Sequence, residues 1–189
     1  MRIEIISGSS REQSITNRVA LHLQKRLRDT TEHDVEVIDV RDYFLPELQK
    51  VFTSVEAAPV EFKSLAERMF SADAFILVSP EYNGSFSAAM KNLLDHFPKQ
   101  QHKVFGIATA SPGALGGIRA AIQLQQLVFA LFGIGSPFML ITPMVDKKFD
   151  EEGNLIDTSF EKSIDTFVHE YLWLAEKVVD SDVSVTNRN

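Results

Sequence analysis

The sequence RIEIISGSSREQSITNRVALHLQKRL, residues 2–27, contains three consecutive patterns that indicate how the chain folds. The run Arg2 to Ser7 is rich in β-branched residues and is typical of a strand. The polar segment Gly8 to Thr16 follows it directly. From Ile15 to Leu27 apolar residues recur at the spacing of an amphipathic helix. The stretch therefore predicts a strand, a loop and a helix, which is the start of a βαβ unit.

The same alternation of strand and helix patterns continues to the end of the chain. Four further strands are predicted at Val35–Val40, Ala74–Val78, Val104–Ala108 and Phe138–Thr142. Helices are predicted at Val60–Phe70, within Glu81–Phe97, from Gly117 to about Phe132, and at Phe160–Val179. Five strands separated by helices indicate an α/β fold with a parallel sheet covered by helices on both faces. We expect one domain at residues 1–180, followed by a polar tail at residues 181–189.

Composition narrows the possible functions. The 189 residues fit one domain with a real core, and the 44% hydrophobic and 24% charged residues are close to the averages for globular proteins. The formal net charge of −7 and the lack of a basic run argue against a nucleic-acid surface, which needs clustered Lys and Arg. No nucleic-acid partner is expected.

The chain contains no cysteine, which excludes disulfides, thiolate catalysis and cysteine metal sites. The apolar N-terminal run contains an acidic residue, so it does not resemble a signal peptide. The longest apolar stretch, Leu127 to Ile141, is too short to span a bilayer. We expect a soluble, cytoplasmic protein without membrane contact.

The loop after the first strand has the residue types that hold an anion. Ser9, Ser14 and Thr16 supply hydroxyls, Arg11 supplies a guanidinium, and the following helix supplies free N–H groups. The loop lacks the Gly-x-Gly-x-x-Gly pattern of dinucleotide sites and the Gly-Lys-Ser/Thr pattern of triphosphate sites. A terminal phosphate therefore fits best. The alternative is that Ser14 only caps the helix and Arg11 is a solvated side chain.

The loop after the third strand contains Pro80, Glu81, Tyr82, Asn83 and Gly84. A planar heterocycle needs an aromatic or apolar face and a few backbone donors at its polar edge. Tyr82 and the Asn83-Gly84 peptides offer both. An ordinary Asn-Gly turn with Tyr82 as part of the core is the competing interpretation.

The loop after the fourth strand, Ser111 to Gly117, is rich in glycine and lets the backbone approach a ligand closely. N–H groups near Gly113 are candidates for contact with the polar edge of such a ring. Alternatively, Gly116 and Gly117 only permit close packing of the next helix. These three loops matter because ligands of such sheets bind beyond the carboxyl ends of the strands.

Three strings in the chain resemble the NADPH-dependent FMN reductase family. They are GSSREQS from Gly8, PEYNGS from Pro80 with KNLLD from Lys91, and SPGALGGIR from Ser111. The family includes enzymes that act on quinones, chromate and azo compounds. The resemblance implies a flavodoxin-like fold with a five-stranded sheet in the order 2-1-3-4-5, bound FMN, and NADPH as the reductant.

By position, the resemblance also implies a role for each matching residue. The FMN phosphate would be surrounded by Ser9, Arg11, Ser14, Ile15 and Thr16. The isoalloxazine would be bordered by Pro80, Glu81, Tyr82, Asn83 and Gly84, with its pyrimidine side near Ser111 and Gly113. Thr16 stands where the family commonly has Asn, and His96 where it often has Trp.

The expected function is that of an oxidoreductase that transfers reducing equivalents from NADPH through FMN to a small acceptor such as a flavin or a quinone. No catalytic side chain and no metal site are expected. The alternative is a flavodoxin-type FMN electron carrier without its own NAD(P)H activity. The resemblance implies a homodimer or homotetramer.

Three further side-chain environments are expected from the sequence alone. Asp39, at the end of the second strand, is expected to form a turn rather than to bind a ribose. His96 is expected at a solvated helix end. The aromatic stretch Phe129 to Phe138 is expected mainly in the core, with a dimer contact as the alternative.

Overall fold

The computed structural model describes the backbone of residues 1–186 and the side chains through Asp180. One sheet contains the strands β1 (Arg2–Ser7), β2 (Asp34–Asp39), β3 (Ala74–Ser79), β4 (Val104–Ala110), β5 (Ile134–Gly135) and β6 (Leu140–Thr142). The helices are α1 (Ile15–Thr30), α2 (Lys63–Ser71), α3 (Ala88–Asp95), α4 (Ile118–Ala130) and α5 (Glu161–Thr186). The alternation of strands and helices matches the sequence prediction.

All strand pairs are parallel, and the order β2-β1-β3-β4-β5 confirms the predicted topology. The edge position differs from the single predicted strand at Phe138–Thr142. There β5 pairs with the start of β4 and β6 pairs with its end. Pro137 lies between the two and has no N–H to donate to the ladder, which accounts for the interruption.

Two cores form because side chains alternate across the strands. Ile3 and Ile5 of β1 belong to the core that contains buried residues of α1 and α5. Ile6 of β1 belongs to the core on the opposite face, which contains buried residues of α2, α3 and α4. Every residue of β3 is buried, as expected for a central strand covered on both sides.

The acidic residue within the first strand is paired in the core. Glu4 is 0% exposed, and its Oε1 accepts hydrogen bonds of 3.1 Å from Nε of Arg68 on α2 and from Nε of Arg2. A buried carboxylate without such partners would be strongly destabilising. The strand can therefore carry a glutamate because α2 brings a guanidinium to it.

Gly106 of β4 provides space for the aromatic side chains of α5. The rings of Phe167 and Tyr171 are stacked with centroids 6.2 Å apart. A Cβ atom at Gly106 would lie 3.0 Å from ring atoms of both residues. The close approach of α5 to the sheet therefore depends on a residue without a side chain at this position.

Several boundaries and environments differ from the sequence predictions. Helix α5 continues to Thr186, beyond the predicted end at Val179, and the rest of the predicted tail, residues 187–189, lies outside the described residues. Phe129 and Phe132 are 70% and 56% exposed, so the prediction that they are in the core is wrong. Within residues 1–186, no helix has the length and apolar character needed to cross a bilayer.

We expect Gly106→Ala to lower the free energy of unfolding by about 1–3 kcal/mol, because the added methyl group overpacks the contact with Phe167 and Tyr171. Urea denaturation measures this change. Gly135→Ala on β5 is the matched control, since a Cβ there has its nearest neighbour at 3.9 Å. Equal stability losses in the two variants would contradict this account of the α5 packing.

Candidate functional site

Three loops at the carboxyl edge of the sheet enclose a cavity of about 300 Å³. They follow β1, β3 and β4, which lie side by side in the sheet. The cavity is lined by Ser9, Arg11, Gln13, Ile15, Thr16, Pro80, Glu81, Tyr82, Ala110, Ser111 and Pro112. The loops that the sequence singles out therefore meet in space, as expected for a sheet of this topology.

Most predicted site residues line this cavity, and four do not. The four are Ser14, Asn83, Gly84 and Gly113. Three lining residues were not predicted. Gln13 lies between predicted positions of its loop, and Ala110 and Pro112 flank Ser111. Adjacency to predicted residues was the sequence signal that could have identified them.

The loop after β1 begins at a tightly packed glycine. The Gly8 N–H donates to Val78 O of the neighbouring strand at 2.8 Å, and the Ser87 hydroxyl donates to Gly8 O. A Cβ at Gly8 would lie 2.5 Å from Met90 Cε and 3.2 Å from Val78 O. Gly8 thus joins β1 to both β3 and α3 at the point where the loop leaves the sheet.

The other end of this loop is fixed by a helix cap. Ser14 Oγ accepts a hydrogen bond of 3.1 Å from Asn17 N and caps α1, as the alternative interpretation of Ser14 proposed. The N–H groups of Ile15 and Thr16 precede the first intrahelical hydrogen bond, so they have no acceptor in their own helix. Both residues line the cavity. The start of α1 therefore offers donors to an anion there.

Arg11 connects the first loop to the second. Its Cζ lies 4.8 Å from the centroid of the Tyr82 ring, within the range of a cation–π contact. The hydroxyls of Ser9 and Tyr82 lie 3.3 Å apart. A guanidinium, two hydroxyls and an aromatic face are thus adjacent in one wall of the cavity.

The second loop contains the predicted Asn-Gly turn. Asn83 and Gly84 have φ angles of 51° and 80°. Tyr82 N donates to Ser85 O at 2.9 Å, and Ser85 N donates to Tyr82 O at 3.0 Å. Positive φ at both central residues and this paired hydrogen bonding are typical of a two-residue hairpin loop. The central turn residues Asn83 and Gly84 do not line the cavity, but they position Tyr82, which does.

Glu81 links the second loop to helix α4. Its Oε2 accepts hydrogen bonds from the backbone N–H groups of Arg119 at 3.0 Å and Ala120 at 3.4 Å, and its Oε1 accepts one from Arg119 Nη1 at 3.2 Å. Gly117, the cap residue of α4, has no side chain to do this. The Glu81 carboxylate therefore stabilises the start of α4, although the residue also lines the cavity.

The glycines of the third loop mainly serve packing. A Cβ at Gly117 would lie 2.9 Å from Thr109 Cβ, and one at Gly116 would lie 2.8 Å from Pro143 N. The Gly113 N–H donates to Ser111 Oγ at 3.1 Å and is engaged within its own loop. The backbone of this loop thus closes one side of the cavity, with Ser111 at its wall.

Two of the remaining predictions have clear outcomes. Asp39 Oδ1 accepts a 2.9 Å hydrogen bond from Arg41 N and caps the 3₁₀ turn Val40–Asp42, which confirms the turn-forming role. His96 is only 2% exposed, so the prediction of a solvated helix end is wrong. Its Nδ1 lies 2.8 Å from Asn92 O, and its ring packs against Phe52. Helix α3 thus ends in the core.

A second cavity of about 410 Å³ lies next to the first. It is lined by Ser10, Glu12, Val40, Arg41, Tyr43, Phe44, Leu45, Ala89, Asn92 and Leu93. Ser10 and Glu12 line this cavity, and Ser9, Arg11 and Gln13 line the first. Glu12 and Gln13 also both line a third cavity of about 420 Å³. Sequence reasoning did not separate these cavities along the loop after β1.

The donors and the apolar surfaces of the first cavity suit a ligand with a phosphate and a planar ring. Hydroxyls, a guanidinium and helix N–H groups are the donors that phosphate oxygens accept from. Arg11 is the basic residue among the lining residues, and the Glu81 carboxylate is already bound to α4. The Tyr82 ring and the proline side chains provide apolar surface. These residues fit FMN as the resemblance implied.

Comparison with known proteins gives matches along most of the chain. The model of a family described as NADPH-dependent FMN reductase matches residues 1–146. An FMN-dependent NADPH-azoreductase of Staphylococcus aureus is 31% identical over 171 residues, which cover 87% of this chain and 89% of the relative.

Two solved structures show the likeness of fold. The flavoenzyme NAD(P)H:(acceptor) oxidoreductase of Paracoccus denitrificans has a TM-score of 0.78 at 21% identity, with 93% of this chain and 97% of that chain covered. A flavodoxin of Pseudomonas aeruginosa has a TM-score of 0.54 at 17% identity, with 90% and 99% covered. The predicted flavodoxin-like fold is confirmed.

Proposed function

This chain belongs to the NADPH-dependent FMN reductase family, and we propose that it transfers reducing equivalents from NADPH through bound FMN to a small acceptor. The observation that carries the proposal is the cavity shared by three loops, which combines phosphate donors at one side with an aromatic face at another. The name of the Staphylococcus aureus relative supports FMN, NADPH and an azo compound as ligands of such a site.

FMN, when bound, supplies the hydride chemistry, and the chain's own residues bind and orient it. Arg11 donates to phosphate oxygens with its guanidinium, and the hydroxyls of Ser9 and Thr16 donate to those that remain. The N–H groups at the start of α1 contribute the partial positive charge of the helix dipole, which attracts the phosphate. Tyr82 and Pro80 provide the surface against which the flat ring packs.

The remaining predicted site residues act in this proposal through the backbone. Asn83 and Gly84 hold the turn that presents Tyr82. Ser111 and the neighbouring Gly113 border the pyrimidine side of the ring. No side chain of the cavity is assigned to hold or move a proton during the reaction. The acceptor would occupy the same position as the nicotinamide after the oxidised nucleotide has left.

The flavodoxin-type carrier is the less favoured alternative. The family of this chain is a reductase family, and its 31% identical relative is named as an azoreductase. A cytoplasmic location stays a prediction from the composition.

A homo-oligomer is also proposed, with contact through the exposed face of α4. Ile122 and Phe129 are 49% and 70% exposed and lie seven residues apart on one side of this helix. Phe132 and Ile134 extend the exposed apolar surface beyond the helix. Residues 120–130 of α4 contain no charge, so two copies can meet there without repulsion.

We expect light scattering to give the mass of a dimer or tetramer for the wild-type protein. Phe129→Glu places a charge in the proposed contact and is expected to shift the mass toward the monomer. Trp173→Gln removes another exposed aromatic residue, on α5, and serves as the control that keeps the oligomer. A monomeric wild type would contradict the proposed assembly.

Anaerobic mixing of the FMN-loaded protein with NADPH tests the activity. We expect the yellow absorbance to bleach rapidly and to return when a quinone or an azo dye is added. A flavodoxin-type carrier would instead be reduced slowly by both NADPH and NADH, and rapidly by a partner reductase. A protein that takes up no FMN would contradict the proposal itself.

Arg11→Ala is expected to weaken FMN binding by about tenfold, because it removes charge-assisted hydrogen bonds to the phosphate. Fluorescence titration of FMN measures the dissociation constant. Arg26→Ala is the control, because Arg26 pairs with Asp165 of α5 and does not line the cavity. Unchanged affinity in Arg11→Ala would refute the phosphate role of Arg11.

A further inference from the structure

Arg41 follows β2 and does not line the first cavity, whereas it lines the second cavity together with Glu12. Its Nε lies 2.9 Å from Asp39 Oδ1 and 3.0 Å from Oδ2, and its Nη2 lies 2.5 Å from Oδ2. The Asp39 hydrogen bonds raise the pKa of Arg41 above its ordinary value. Because the carboxylate occupies one side of the planar guanidinium, the plane of the group is fixed.

The remaining side of the guanidinium holds the loop. Arg41 Nη1 donates to Glu12 O at 2.8 Å. The guanidinium therefore bridges the end of β2, through Asp39, and the middle of the loop after β1. Among the described residues this is the hydrogen bond that links Arg41 to this loop.

Asn17 ties the same pair to α1 and β1. With its amide oriented to satisfy its neighbours, its nitrogen donates to Ser7 Oγ at 2.9 Å and to Asp39 Oδ2 at 3.3 Å. Its oxygen accepts from Arg41 Nη2 at 3.1 Å. The Arg41 guanidinium thus has partners on β2, on the loop after β1 and on α1, which together fix its position.

Fixing one carbonyl also fixes the next N–H group. The peptide unit between Glu12 and Gln13 is planar and trans, so the Glu12 carbonyl and the Gln13 N–H point in opposite directions. The carbonyl is bound to Arg41, and the Gln13 N–H is therefore directed away from Arg41. Gln13 lines the first cavity, which Arg41 does not line, and also a third cavity, which Arg41 does line. Its N–H donates to no group among the described residues.

We propose that Arg41 is a positioning residue for the cofactor phosphate: by holding the Glu12 carbonyl, it aims the Gln13 N–H at that phosphate. The inference rests on the proposed FMN function. Asp39 contributes to this positioning because its carboxylate fixes the plane of the Arg41 guanidinium. In this proposal Arg41 acts through the loop and not by contact with the phosphate, since its charge is already compensated by Asp39.

The test compares FMN with riboflavin, which has the same ring but no phosphate. We expect Arg41→Met to weaken FMN binding by about tenfold in a fluorescence titration, as for the loss of one charge-assisted hydrogen bond. Riboflavin binding is expected to change by less than about twofold, well below that tenfold step. Arg26→Met breaks an Arg–Asp pair between α1 and α5 that does not line the first cavity, and it should leave both affinities unchanged.

Arg41→Lys separates position from charge. A lysine ammonium is a single point and cannot hold the Asp39 carboxylate and the Glu12 carbonyl in the geometry of the planar fork. We therefore expect Arg41→Lys to bind FMN with an affinity between that of the wild type and that of Arg41→Met. Full wild-type affinity in Arg41→Lys would show that charge alone acts, and would overturn the proposal.

Other outcomes are equally decisive. An equal loss of FMN and riboflavin affinity would assign Arg41 a purely structural role and overturn the proposal, as would unchanged FMN affinity in Arg41→Met. If Arg41→Met does not fold, the ratio of FMN to riboflavin affinity in Arg41→Lys carries the test, and a ratio below that of the wild type supports the proposal. A wild-type protein that binds neither flavin contradicts the FMN function instead.

Discussion

The site depends on the absence of a side chain at Gly8. At this residue the chain leaves β1 while its N–H still donates to Val78 O, and its carbonyl accepts from the Ser87 hydroxyl. A Cβ would meet both Met90 and the Val78 carbonyl at short distance. Because residue 8 has no side chain, β1, β3 and α3 can approach one another at the point where the first loop begins.

The same loop is then held along its length. The Ser14 cap fixes its end, and the Arg41 bond to the Glu12 carbonyl fixes its middle. A loop with so many fixed backbone groups loses little further entropy when it binds a ligand, which favours affinity. The hydrogen-bond donors of the site are thus preorganised before the cofactor binds, and the flavin supplies the reactive group.

The sequence predicted the features that follow from local patterns. The alternation of strands and helices, the Asn83-Gly84 turn and the turn-forming Asp39 were predictable because periodicity and turn chemistry act over short distances. The strand order is not a local property, and it was predicted from the family resemblance. The engagement of Glu81 by α4 was not, because it joins residues 38 positions apart. The exposure of Phe129 and the burial of His96 also depend on which face of a helix meets the sheet, and composition does not reveal that face.

The divided edge strand has a consequence for association between molecules. An unbroken edge strand offers a row of unpaired N–H and C=O groups that can template intermolecular β-pairing and aggregation. Here β5 and β6 contribute only short segments, and Pro137 between them lacks a donor. The interruption therefore makes this edge of the sheet, which lies opposite the edge formed by β2, a poor template for intermolecular β-pairing.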